Sequence, residues 1–138
     1  KNIDSLEQNV LISLHPKMNL KNYQFLEKEY NCKILEESLA DVLVVADMFV
    51  ATFSSTVVWA VLCGINTIVV DFYGLQYRMY DFLTSIKKVD NKDVFSEKLN
   101  QCISETVNFT SDWKKLSKDE VFDGNTVARY FQLIKETI

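Results

Sequence analysis

The chain has 138 residues, which is enough for one domain with a substantial hydrophobic core. Apolar residues make up 48% and charged residues 25% of the chain, and its formal net charge is −4 without a basic cluster. Proteins that bind the phosphate backbone usually carry clustered Lys and Arg, so we expect no nucleic acid partner. No apolar run reaches the ~20 residues that a membrane-spanning helix needs.

The three cysteines, Cys32, Cys63 and Cys102, lie far apart and lack the spacing of metal ligands. An odd number of cysteines in apolar segments is typical of the reducing cytosol. We therefore predict a cytoplasmic protein that requires no metal and no cofactor. Any contact with the inner face of a membrane would be peripheral and made through a part of the protein outside this sequence.

Short apolar runs alternate with amphipathic helical patterns, which is typical of a parallel sheet built from βαβ units. We predict strands at residues 10–14, 32–35, 48–53, 67–71 and 86–89. Helical patterns begin near residues 19, 38, 55, 93 and 125. The fold class is thus predicted as α/β: one Rossmann-like three-layer α/β/α domain over residues 1–138. Its parallel sheet would have about five strands, in the order two, one, three, four, five.

Two of these segments carry further expectations. The helix predicted at 55–63 is apolar all round, so we expect it to be buried on several sides. Gly64 follows this helix and is expected to end it in the left-handed conformation. A tyrosine-rich stretch at 74–82 is predicted to be helical in its second half.

His15 and Pro16, the only histidine and the only proline, are adjacent where the first strand ends. Proline cannot donate to the sheet and ends the strand, and it fixes the backbone beside an imidazole that can donate to a phosphate. Ligands of open parallel sheets lie outside the carboxyl ends of the strands. The pair is therefore a candidate nucleotide contact, with an incidental histidine beside a strand-ending proline as the alternative.

Ser54, Ser55 and Thr56 lie where the third strand passes into its helix. The free N–H groups and the dipole at a helix start favour anions, and three hydroxyls add further donors. The alternative is plain N-capping, which needs only one hydroxyl. We predict a phosphate-binding turn here, close enough to His15 for both to share one phosphate-sized ligand.

Asp71, Tyr73 and Gly74 follow the fourth strand and are predicted to contact a base or a sugar. A capped strand end is the alternative for this segment. Weaker candidates for phosphate or sugar contacts come next in the chain, namely Tyr77, Arg78 and Tyr80. The sequence shows no carboxylate pair and no nucleophile–base pair, so the catalytic residue stays unknown. There is no glycine-rich dinucleotide or P-loop motif.

Three segments together resemble a known family: Leu14-His15-Pro16, the run 46–50 with Ser54-Ser55-Thr56, and the run 64–71. They are similar to the C-terminal domain of GT-B-fold enzymes, in particular the bacterial capsule and teichoic-acid transferases with HP and paired-serine motifs. The UDP-sugar 2-epimerases are also similar. The likeness covers residues 10–82. Many of these relatives place a ribose-binding glutamate in the helix after the serines, where this chain has apolar residues at 57–60.

The resemblance implies that the HP and serine motifs bind the nucleotide and phosphate of a CMP-, CDP- or UDP-linked donor. The chain would be the donor-binding domain of a glycosyl or glycerophosphoryl transferase of bacterial surface-polysaccharide biosynthesis. Because it opens with Lys1 rather than Met, we expect it to be the C-terminal part of a longer enzyme whose N-terminal domain completes the site. The chain alone is then expected to be inactive and to form homo-oligomers. A UDP-sugar 2-epimerase-like domain and a non-catalytic Rossmann-like module are the alternatives.

Overall fold

The structure, a computed structural model, describes residues 9–76, 78–118 and 125–137. The chain divides into two compact units, Lys1–Ala46 and Asp47–Ile138, each of which is described by itself. The first contains β1 (Val10–Ile12), a short 3-10 helix (Leu20–Asn22), α1 (Phe25–Glu29), β2 (Cys32–Ile34) and α2 (Leu39–Leu43). The second contains β3 (Met48–Ala51), α3 (Thr56–Leu62), β4 (Asn66–Val70), β5 (Ile86–Val89), α4 (Phe95–Ser104), α5 (Thr110–Lys118) and α6 (Thr126–Thr137).

In the first unit, β1 and β2 form a two-stranded parallel sheet. The 3-10 helix after β1 and helix α2 after β2 each have a polar side chain at the N-cap position. Asn19 accepts a hydrogen bond from the backbone N–H of Lys21 (3.1 Å), and Ser38 accepts one from that of Ala40 (3.3 Å). These caps satisfy N–H groups that a helix start leaves without a partner, as their positions in the sequence predict.

In the second unit, β3, β4 and β5 form a parallel sheet with β4 in the centre. Four consecutive residues of β4, Thr67 to Val70, are buried, which is typical of a strand covered on both faces. Val69 packs in a cluster with Val57 and Val61 of α3 and Leu116 of α5. This cluster covers one face of the sheet.

The other face of this sheet carries α4. Asn66 points to the face opposite Thr67 and Val69, because side chains alternate along a strand. Its amide donates to the carbonyl oxygens of Cys102 (2.7 Å) and Glu105 (3.0 Å) at the end of α4. The second unit therefore has three layers, with α3 and α5 on one face of a three-stranded sheet and α4 on the other.

The predicted single sheet of about five strands is wrong, since the described strands form one sheet of two and one of three. The parallel pairs β1–β2, β3–β4 and β4–β5 are as predicted. β1 ends two residues before the predicted bound, and the chain then turns at 15–18, where the Met18 N–H donates to the His15 carbonyl oxygen (2.8 Å). A three-residue strand offers few ladder hydrogen bonds, and an apolar run does not encode which strand lies beside it.

Two features differ from the sequence predictions. The stretch 79–82 forms turns rather than a helix, with backbone hydrogen bonds of 3.0 Å that the N–H groups of Asp81 and Leu83 each donate three residues back. Helix α5 was not predicted. Helix α3 is buried at Val57, Ala60 and Val61, while Trp59 is 42% exposed. Gly64 does adopt the expected left-handed conformation, with φ 71°.

Candidate functional site

The candidate site lies at the carboxyl edge of the sheet in the second unit. Ala51 at the end of β3 pairs with Val69, and Val70 at the end of β4 pairs with Val89 at the end of β5. All three strands are parallel, so the segments that follow them emerge at the same edge. These segments contain the Ser54–Thr56 turn, the loop that starts at Asp71, and Asp90.

The serine turn uses two of its three hydroxyls internally. The hydroxyls of Ser54 and Thr56 are hydrogen-bonded to each other (2.6 Å), and the Ser54 hydroxyl also accepts from the Thr56 N–H (3.3 Å). The Ser54 side chain therefore caps the start of α3 from one residue before its N-cap position, Ser55, which matches the plain capping alternative for Ser54. Ser55 differs, since its exposed hydroxyl makes no hydrogen bond to any residue that the structure describes. It is the free hydroxyl donor of this turn.

Tyr80 holds the serine turn in place from the β4–β5 connection. Its ring is fully buried, and its hydroxyl donates a hydrogen bond to the Ser54 carbonyl oxygen. Burial raises the pKa of the Tyr80 hydroxyl, while the hydrogen bond to Ser54 acts in the opposite direction. The phenol is thus a neutral donor that joins two segments of the sheet edge.

The Asp71 carboxylate organises the loop after β4. Its two oxygens accept from the backbone N–H groups of Leu75 (2.8 Å) and Gln76 (2.7 Å). Gly74 and Gln76 both have positive φ, 65° and 50°, which allows the chain to curl back over the carboxylate. Asp71 therefore caps the end of β4. This is the alternative to a base or sugar contact that the sequence analysis gives for this residue. Tyr73 is 82% exposed at the tip of the loop, where it is accessible to a base or sugar.

An open cleft of about 320 Å³ lies beside this loop, at the carboxyl ends of β4 and β5. Among its charged lining residues, Lys88 and Asp81 form an ion pair. The Arg78 guanidinium and the Asp90 carboxylate also line the cleft, and neither binds another side chain within the described ranges. The cleft thus presents one donor group and one acceptor group that no other described side chain binds.

His15 and Pro16 occupy a turn in the first unit. Pro16 is the second residue of this turn, which the Met18 N–H closes by donating to the His15 carbonyl oxygen (2.8 Å). Nδ1 of His15 accepts from the Lys17 N–H (3.1 Å), so the neutral ring carries its proton on Nε2. The exposed ring can therefore donate to an anion. His15 and the serine turn belong to different units, and the phosphate that they were expected to share stays a prediction.

Sequence reasoning missed Asp90 and gave Arg78 little weight. A signal for Asp90 exists, because it directly follows the β-branched end of the fifth predicted strand and thus lies at the same sheet edge as Asp71. The sequence could name Arg78 only as a weaker candidate, since the fold alone shows that its guanidinium has no side-chain partner among the described residues. Tyr77 lies outside the described residues.

Comparisons with protein-family models, curated proteins and solved structures found no match to this chain. Within the described ranges, no three His, Cys, Asp or Glu side chains are grouped so that they could hold a metal ion. No helix in those ranges is long and apolar enough to cross a bilayer. The class that the fold defines is an α/β protein with polar groups at the carboxyl edge of a parallel sheet.

Proposed function

We propose that this chain binds the nucleotide and phosphates of a CMP-, CDP- or UDP-linked donor. It would serve as the donor-binding domain of a glycosyl or glycerophosphoryl transferase in bacterial surface-polysaccharide biosynthesis. One observation carries the proposal: the unused hydroxyl of Ser55 lies on a turn held by Tyr80, at the carboxyl edge of a parallel sheet. In open α/β sheets this edge is where nucleotides bind.

The chemistry required of this domain is charge stabilisation rather than proton transfer. When the sugar or glycerophosphoryl group leaves, negative charge grows on the nucleotide phosphate, and fixed donors near it lower the barrier. The Ser55 hydroxyl is such a donor and needs no metal ion. The resemblance also assigns a phosphate contact to His15, whose exposed ring belongs to the first unit. The catalytic base would come from the N-terminal domain of the same enzyme.

The epimerase alternative asks for free carboxylates at the cleft. Asp71 is committed to two backbone N–H groups and Asp81 to Lys88, which leaves Asp90 as the free carboxylate among the described lining residues. This arrangement favours donor binding for transfer. A non-catalytic module with the same pocket would also bind nucleotide, and only turnover by the complete enzyme separates it from a transferase.

Calorimetric titration of the chain with CMP, CDP and UDP tests the proposal. We expect dissociation constants in the ~mM range, because one domain leaves half of the ligand in water. The Ser55→Ala change is expected to weaken binding about tenfold, equal to ~1.4 kcal/mol, without a loss of folding stability. Ser111→Ala is the matched control, since Ser111 is also an exposed serine at a helix start and makes no side-chain hydrogen bond to described residues.

Two outcomes would contradict the proposal. Absence of binding of all three nucleotides at millimolar concentration would remove its basis. Equal nucleotide affinities of the native chain and the Ser55→Ala variant would show that the Ser55 hydroxyl does not bind the nucleotide. Turnover of a CMP-, CDP- or UDP-linked donor by the chain alone would refute a separate expectation, that the chemistry needs a second domain.

A further inference from the structure

Five charged residues line the cleft at the ends of β4 and β5, and two of them have no side-chain partner among the described residues. Asp71 and the Lys88–Asp81 pair are engaged with neighbouring groups. Arg78 and Asp90 are exposed, line the same cleft and make no side-chain interaction with described residues. Together the five groups comprise three carboxylates and two cations, so the cleft has no excess positive charge with which to attract a polyanion.

Described residues on either side of Arg78 are hydrogen-bonded to other segments. Two residues before it, the Gln76 N–H donates to the Asp71 carboxylate (2.7 Å), and two residues after it, the buried Tyr80 side chain donates to Ser54. Asp90 follows Val89, whose carbonyl oxygen accepts from the Asp71 N–H (2.8 Å). Because these nearby residues are anchored, placing the two side chains on a ligand costs less conformational entropy than it would in a free loop.

The free groups have complementary hydrogen-bonding capacity. A guanidinium only donates, through five N–H groups, and a carboxylate only accepts. A hydroxyl both donates and accepts, so a ligand with neighbouring hydroxyls satisfies both groups without introducing a net charge. The volume of about 320 Å³ lies at the small end of ligand pockets, which span roughly 300–1,000 Å³. This size suits one sugar ring or a short polyol.

We propose that this cleft binds the sugar or polyol part of the donor, with Arg78 donating to its hydroxyls and Asp90 accepting from them. The inference rests on the proposed function, since the nucleotide would occupy the serine turn at the same edge of the sheet. It assigns the two ends of the donor to different groups: phosphate to the Ser55 side, and hydroxyls to Arg78 and Asp90.

The test compares donors with their bare nucleotides in calorimetric titrations of the native chain and the variants Arg78→Gln and Asp90→Asn. The pairs are UDP-glucose with UDP and CDP-glycerol with CDP. We expect the native chain to bind at least one donor about fivefold more tightly than its nucleotide. Each variant should lose this preference while its affinity for the bare nucleotide stays unchanged. Lys114→Gln and Asp93→Asn, at exposed charges that do not line the cleft, are the matched controls.

The outcomes separate the two proposals. Equal affinity of the native chain for both donors and their nucleotides, or a preference that survives both variants, would overturn the cleft assignment and leave nucleotide binding intact. A parallel loss of nucleotide and donor affinity in the variants would also overturn it, because it would place the phosphates at Arg78 and Asp90. Failure of the native chain to bind any of the four compounds would overturn the proposed function and the cleft assignment together. Urea unfolding of each variant verifies that its fold is retained.

Discussion

The Tyr80 hydroxyl donates a hydrogen bond to the Ser54 carbonyl oxygen, so the connection after β4 holds the turn after β3. The same carbonyl accepts from the Val57 N–H (3.1 Å), which closes the first turn at the start of α3. The geometry of the serine turn therefore depends on a residue 26 positions further along the chain.

Tyr80→Phe tests this dependence. The change keeps the buried ring and removes one hydrogen bond, while Ser54 retains its bond to Val57. We expect the free energy of unfolding to fall by about 1 kcal/mol and nucleotide affinity to weaken. Urea unfolding and calorimetric titration measure the two effects. Tyr30→Phe is the control, because the Tyr30 side chain is 43% exposed, belongs to no candidate site, and its hydroxyl binds no described residue. Equal effects of both changes would show that the Tyr80 hydroxyl has no special role.

His15→Ala tests the nucleotide contact that the resemblance implies. The ring is exposed, and its bond to Lys17 within the turn is local, so we expect folding stability to change by less than ~0.5 kcal/mol. Nucleotide affinity should fall about tenfold if Nε2–H donates to a phosphate. Met18→Ala, at another exposed residue of the turn, is the control. An unchanged nucleotide affinity of the His15→Ala variant would show that His15 does not contact the nucleotide and only happens to precede Pro16.

Asp112 gives a prediction about acid stability. Its fully buried carboxylate accepts from the N–H groups of Thr84 (2.8 Å) and Ser85 (2.7 Å) and from the Thr84 hydroxyl (2.9 Å). Burial alone would raise the pKa of Asp112, but the hydrogen bonds from Ser85 and Thr84 outweigh it and lower the pKa to about 2.

Since the folded pKa of Asp112 is lower than the usual 3.8, its stabilising contribution is present above pH ~4 and is lost as the pH falls towards 2. We expect Asp112→Asn to cost about 2 kcal/mol of unfolding free energy at pH 7, with the gap closing at low pH. Urea unfolding from pH 7 to pH 2 measures this gap, with the exposed Asp93→Asn as the control. A gap that is independent of pH would mean that the Asp112 carboxylate is not the stabilising form.

Helix α6 gives a prediction about self-association. Val127, Phe131 and Ile134 recur at helical spacing and are each more than half exposed, with Phe131 at 62%. An apolar stripe of this kind favours association between copies of the chain. We expect sedimentation velocity to show concentration-dependent association that Phe131→Glu reduces and Ala128→Glu does not. A native chain that remains monomeric at high concentration would refute this. Ile138, which continues this spacing in the sequence, lies outside the described residues.

Local features were predictable because the signals that encode them lie within a few residues. The predicted strand at 86–89 coincides with β5, and Asn19 and Ser38 cap the helical segments that follow them. Helix α5 was missed although a local signal existed. Asn108 accepts from the Thr110 N–H (3.0 Å) as a cap does, but the triplet 108–110 also has the form of a glycosylation sequon, and its capping role was overlooked.

By itself, the sequence determined the α/β class, the positions of the strands, the parallel pairing within each unit and the polar segments that follow β3 and β4. Periodicity and turn chemistry are properties of short segments, so they can be read from the order of residues. Only the tertiary structure decided that the described strands form two sheets and that Asp71 is a cap. It also decided that the polar groups of Ser55, Arg78 and Asp90 bind no other side chain in the part of the chain that it describes. These properties depend on which groups distant parts of the chain bring within 3 Å or so of one another, and the sequence pattern does not encode those distances.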